Sequence, residues 1–232
     1  MPNFSENSFN FTYLFKNILK QWYFYVIGAF LVIMVISSLF LLRKKGERNN
    51  LTKTQKLVYT AIMSALCFVV NCFTIPMGNV LQISLIATVG FVSGYILGAG
   101  LGFTSAFIGD LICSIIFPTG PYSPIINVGT ALWGYVPGVI FTVFPGNDFI
   151  KAGCSFVICF ILNSFAVNTL GLSLMYSIPF TKLLITLPVK LAVVAINAVI
   201  STALMTVLKR VLPKDKFNLN SEKVIKDELP VE

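Results

Sequence analysis

Phe117-Pro118-Thr119-Gly120-Pro121-Tyr122-Ser123-Pro124 separates two strongly apolar runs, Leu101 to Ile116 before it and Ile125 to Phe144 after it. Proline lacks the amide donor and clashes with the preceding turn, and glycine tolerates positive φ, so this stretch cannot continue a helix. Phe117, Gly120 and Ser123 each precede a proline and are pushed toward extended geometry as well. The stretch therefore divides two helices with a stiff, compact connection carrying two aromatic side chains. Its plain reading is a tight interhelical turn. The alternative is a ligand lid at a membrane surface.

The runs on either side set the class. Of the 232 residues, 56% are hydrophobic and only 11% charged, with a mean hydropathy of +0.84; soluble domains carry about 25% charged residues. Between Leu57 and Leu208 the charges are Asp110, Asp148, Lys151, Lys182 and Lys190. That is too little polar surface for a water-soluble globule. A chain solvated by lipid must satisfy its own backbone hydrogen bonds, and the apolar runs have the length of membrane-spanning helices, about 17–25 residues. The alternating ten-residue pattern of a barrel is absent. The expectation is an all-α integral membrane protein.

Net charge of +8 raises nucleic acid as a partner, but the distribution argues against it. Six basic residues fall between Arg43 and Lys56 and six between Lys209 and Lys226, each block flanking an apolar segment, which is how membrane topology is written. Cys67, Cys72, Cys113, Cys154 and Cys159 lie inside apolar runs without a C-x-x-C pair, so they read as small hydrophobes. Neither a disulfide framework nor a metal site is expected. The chain has no histidine, which removes the commonest general base and metal ligand.

Three segments follow. Residues 1–50 hold a polar arm, an anchor helix at about Trp22 to Leu42 and a basic linker; 51–212 hold a six-helix membrane core; 213–232 form a charged tail. The positive-inside rule runs the anchor from outside to inside, which places the amino end outside and the carboxyl end in the cytoplasm. The first core helix starts behind Thr52 and Thr54, both N-cap residues, and carries Ala61, Ser64 and Ala65 at i, i+3 and i+4, a small-residue face that admits close helix approach. Pro76 to Asn79 reads as an outer turn. Val80 to Phe117 divides at Gly98, Gly100 and Gly102 into helices of about 81–97 and 101–117, with Gly90, Gly94 and Gly109 adding close packing. Asp110 lies within the second, near Ser105 and Ser114 as caps. Later spans run at about 125–144, 149–176 and 182–208, with Pro188 kinking the last.

No Walker A loop, dinucleotide fingerprint, H-E-x-x-H or G-x-S-x-G occurs, and a single buried acid gives poor support for acid–base catalysis. No catalytic residue, cofactor or metal ligand is expected. The polar and aromatic residues that converge on the outer side are Asn79, Phe117, Tyr122, Ser123, Asn127, Trp133, Asn168, Tyr176 and Lys190. Each alone is an interfacial anchor or helix glue; together they suit a small planar polar ligand.

These residues resemble the substrate-binding S component of an energy-coupling factor (ECF) transporter, most like the folate-type group, over about residues 52–210. The resemblance is carried by Phe117-Pro118-Thr119-Gly120-Pro121-Tyr122. It is also carried by Asn168-Thr169-Leu170 through Leu172, Ser173, Tyr176, Pro179 and Phe180, and by Ala61-x-x-x-Ala65. It implies six helices, here preceded by one extra helix, and an outward pocket for a vitamin-like nutrient, folate or pterin in first place. It also implies that Ala61, Ser64 and Ala65 meet a transmembrane coupling protein, and that two separate ATPase subunits hydrolyse ATP. The chain departs from the folate-type pattern at Gly171, where that group has Trp, and at Leu187, where it has Arg and this chain places Lys190 nearby. Another vitamin or a nucleobase-like nutrient, a stand-alone carrier, and a membrane enzyme using Asp110 are the alternatives.

Overall fold

A computed structural model of the chain describes residues 51–77, 81–117, 124–169, 171–172 and 185–212. The anchor helix, Asn79, Pro118 to Ser123, Tyr176, Lys182 and the charged tail lie outside the described residues.

Among the described residues six α-helices make the core: α1 (Lys53–Cys72), α2 (Ile86–Leu97), α3 (Ala99–Ile116), α4 (Pro124–Val143), α5 (Asp148–Cys159) and α6 (Leu187–Val211). A π-helical segment, Phe160–Val167, continues α5. Of these, α1, α3, α4 and α6 are long and apolar enough to cross a membrane. Thr52 starts α1 with a reciprocal capping box: its hydroxyl accepts from Gln55 N–H, and the Gln55 side chain accepts from Thr52 N–H, which satisfies two orphan donors.

The expected helix at 81–97 is shorter than the sequence suggested. Leu81–Ile83 is a strand, β2, paired antiparallel with β1, Ile75–Met77, and α2 begins only at Ile86. Twelve residues span about 18 Å, short of the roughly 30 Å hydrocarbon core. The interhelical break also narrows to one residue. Gly98 adopts φ 88°, ψ 179°, a region open essentially to glycine, whereas Gly100 and Gly102 lie inside α3. Pro188 starts α6 rather than kinking it, because proline's missing N–H costs nothing in a first turn.

Side-chain contacts fix the directions. Asn71 and Cys72 of α1 meet Asp110 and Cys113 of α3 in parallel order, while Trp133 and Gly129 of α4 meet Phe156 and Asn163 in reverse order. Asp148 meets Lys209 at one end of α5 and α6, and Thr169 meets Lys190 at the other. Odd-numbered helices run one way and even-numbered helices the other. The ribbon, the end of α3, the start of α4, residues 168–169 and the start of α6 therefore gather at one end of the bundle.

The core centres on α4. Glycines on α2, α3 and α4 bring the three backbones into contact: a Cβ on Gly102 would stand 2.6 Å from Gly94 Cα and 2.7 Å from Gly134 O. Around that contact Phe91, Tyr95, Trp133, Phe141 and Phe156 form an aromatic cluster with ring centroids 4.8–6.4 Å apart, the spacing of offset and edge-on pairs.

Candidate functional site

The ribbon end holds the expected binding residues that the structure describes. Asn127 sits in the first turn of α4 and is 1% exposed. Neither its side-chain oxygen nor its nitrogen has a hydrogen-bond partner. A buried amide in that state costs about 1–3 kcal/mol relative to a satisfied one, so the site holds an unmet donor and an unmet acceptor side by side.

Lys190, in the first turn of α6, places Nζ 3.4 Å from Thr169 Oγ1. Thr169 is fully buried and donates to Ser164 O at 2.7 Å. That link spans five residues, which only the wide π-helical winding puts one above the other; π segments concentrate at functional sites. Asn168, half-buried, caps the same segment, its N–H bonding Asn163 O. Phe117, at the end of α3, is exposed and its ring lies 6.3 Å from that of Phe68.

Trp133 lies two turns deeper. Its Nε1 donates to the Asn163 side-chain oxygen at 2.5 Å, and the Asn163 nitrogen donates to Gly129 O at 3.2 Å, in the amide orientation that satisfies both. This side chain is packed against Phe156 and is 4% exposed, so it forms the floor of that end rather than an open wall. Asn163, Ser164 and Thr169 were outside the expected site set. Their shared face follows from the π winding, which apolar periodicity does not signal.

The small-residue face of α1 divides in two. Ser64 turns inward, 7% exposed, with its carbonyl 2.7 Å from where a Cβ on Gly109 would sit; Ala61 and Ala65 face outward and are exposed. Asp110 is held by Asn71 Nδ2 at 2.6 Å. Ser114 bonds the Asp110 backbone carbonyl and Ser105 bonds Gly102 O, so neither serine caps the carboxylate as expected. Among the described residues no three metal-ligating side chains gather.

The model of the ECF-type riboflavin transporter S component family matches residues 50–210. The chain belongs to that family. It is an S component and a multi-pass membrane protein. Two solved structures share its fold: FolT bound with folic acid, at TM-score 0.56 and 18% identity over 64% of this chain and 92% of that one, and the S-component for biotin from an ECF-type ABC transporter, at TM-score 0.57 and 20% identity over 73% and 98%. No curated protein matches the sequence. The family is the riboflavin one, while a folate-bound and a biotin S component are both among the structural relatives. At Gly171 of this S component a Cβ would meet the side chain of Ile126 at 3.0 Å, a contact to which Ile126 has to yield by a few tenths of an ångström.

Proposed function

We propose that this S component captures a small planar vitamin from the outer side of the membrane, with a flavin such as riboflavin in first place. It then delivers the vitamin through an energy-coupling module. The observation that carries the substrate class is the Asn127 amide, buried with both atoms unpartnered. A side-chain amide pairs in two-point fashion with a ligand edge that presents N–H beside C=O. Flavins carry that edge on the pyrimidine ring, pterins on a lactam and biotin on a ureido group. The family match over residues 50–210 favours the flavin; the Phe117 to Tyr122 loop keeps a folate-like pterin as the second reading.

In this reading Asn127 reads the edge, and Lys190 supplies a cation, a charge that is rare and costly within a span. Phe117 and Asn168 add to the contact set above Trp133, and Asn79, Tyr122, Ser123 and Tyr176, outside the described residues, are its further proposed members. Ala61 and Ala65, outward and small, dock on the transmembrane coupling protein, and two ATPase subunits hydrolyse ATP, so the chain needs no cofactor. The amino terminus lies outside and the carboxyl terminus in the cytoplasm.

The test is titration of the purified protein in nanodiscs with riboflavin, folic acid and biotin. Saturable quenching of flavin fluorescence is expected, weakened at least about tenfold in Asn127→Ala, which corresponds to the loss of roughly one hydrogen-bonded pair. Binding of none of the three overturns the capture role. Binding of folic acid in place of riboflavin selects the pterin. Ala61→Leu with Ala65→Leu should leave riboflavin binding intact and abolish co-purification with a coupling protein.

A further inference from the structure

The ligand set above leaves the buried carboxylate of Asp110 unused, yet it anchors a run of hydrogen bonds that passes through side chains as far as Ser84 and continues from the Ser84 backbone carbonyl. Asn71 Nδ2 donates to Asp110 Oδ1 at 2.6 Å, and Asn71 Oδ1 accepts from the Thr74 hydroxyl at 3.2 Å. The Thr74 and Ser84 hydroxyl oxygens are 3.0 Å apart. Each hydroxyl has one proton, so with Thr74 donating to Asn71, Ser84 donates to Thr74. Ser84 Oγ also accepts Ile86 N–H at 3.1 Å, capping the start of α2. On the far side the Ser84 carbonyl accepts Asn197 Nδ2 at 3.1 Å, and Asn197 Oδ1 accepts the Thr88 hydroxyl at 2.8 Å. Asn197 is 2% exposed and Thr88 3%.

The chain thus runs from α3 through α1 to α6 and α2, and it passes through both feet of the ribbon. Thr74 immediately precedes β1 and Ser84 immediately follows β2. Two strands of three residues have little stability of their own. Their placement at the site end has to come from what holds their feet.

We propose that Asp110, Asn71, Thr74, Ser84 and Asn197 form a positioning network that fixes the β1–β2 ribbon at the ligand end and slows ligand escape. This rests on the capture reading above for its ligand half only. Helix glue alone would require the Asn71–Asp110 bond and nothing beyond it. The extension through two hydroxyls to the ribbon feet is what a positioning role adds.

Thr74→Val cuts the chain at the ribbon and leaves the Asn71–Asp110 bond in place, whereas Thr74→Ser keeps the hydroxyl. Hydrogen exchange by mass spectrometry on the whole protein in nanodiscs should show residues 74–86 exchanging about tenfold faster in Thr74→Val and in Ser84→Ala. Helix amides of α3 and α4 should stay unchanged, and Thr74→Ser should match the unmodified protein. Riboflavin dissociation, followed by flavin fluorescence, should accelerate in the same two variants and be restored in Thr74→Ser. Unchanged ribbon exchange in Thr74→Val overturns the network. Faster exchange with an unchanged off-rate overturns its role in ligand retention. If the unmodified protein binds no riboflavin, the capture reading fails, and the exchange comparison still decides whether the network orders the ribbon.

Discussion

Gly94 and Gly134 pack backbone against backbone. A Cβ on Gly94 would stand 2.9 Å from the Gly134 carbonyl carbon and 3.1 Å from Gly138 N, and it would overlap the Gly134 oxygen. The obstacle is main chain on a neighbouring helix, which has no rotamer to yield. Gly94→Ala and Gly134→Ala should each lower stability by about 1–3 kcal/mol or more, the range of overpacked interiors. Gly100→Ala and Gly153→Ala, where nothing lies within 4 Å, should leave it unchanged. Thermal unfolding in detergent, read by size-exclusion of a fluorescent fusion, checks the contrast; equal melting of all four variants would refute it.

The Trp133–Asn163 bond sits where the π-helical segment crosses α4. Trp133→Phe keeps the ring and removes the indole N–H, leaving the Asn163 oxygen buried without its donor. A loss of about 1–3 kcal/mol is expected. Because the segment that carries Asn163 leads directly into Thr169, which lies 3.4 Å from Lys190 Nζ on α6, ligand affinity should fall along with Tm. A variant with native Tm and native affinity would show the bond to be incidental.

At the opposite end Asp148 pairs with Lys209 and, at 3.6 Å, with Lys151. The acid opens α5 and Lys209 closes α6, so each charge also faces the favourable end of its helix dipole. Lys151 is 4% exposed, and Asp148→Ala leaves that cation without its carboxylate. Removing one member of a buried ion pair costs about 3–5 kcal/mol. Lys209→Met, whose lysine side chain is 29% exposed, should cost about 1 kcal/mol or less. Urea-gradient unfolding of the two variants measures the difference, and equal losses would contradict the assignment of burial as its cause.

Cys72 and Cys113 join the ribbon-side ends of α1 and α3, with thiol sulfurs 3.9 Å apart. Closing to a disulfide bond length of about 2.05 Å requires only a small side-chain movement. Copper(II)–phenanthroline should accept the two electrons, release the two thiol protons, and lock α1 to α3. Intact mass should fall by two hydrogens, and maleimide labelling at Cys72 should be lost. Cys113→Ser must abolish both changes; persistence of either would place the partner elsewhere.

The helical membrane class, the helix count of the core and the small-residue contacts were legible in the sequence. So was the Thr52 cap. Each depends on composition or on spacing within one segment: charge scarcity excludes water, run length matches a bilayer, and a threonine before an apolar run closes its own turn. The ribbon was not legible, because three-residue strands have no periodicity to read and Leu81–Ile83 is as apolar as the helix after it. Pro188 was misplaced for a related reason, since proline opens a helix or bends it and the sequence does not say where the helix begins.

By itself, then, the sequence determined a membrane-embedded helical protein of the S-component class, since solvent preference is a property of each segment. Tertiary structure alone decided which of those residues act together. It turned Ser64 inward and left Ala61 and Ala65 facing out, because α3 approaches through Gly109 on one side of α1 only. It joined Asp110 to Asn71, thirty-nine residues away, and Thr88 to Asn197 across 109. It also left Asn127 buried with its amide unpaired. Hydrogen bonds between helices depend on how the helices are rotated about their axes, and that rotation is set by packing against every neighbour at once.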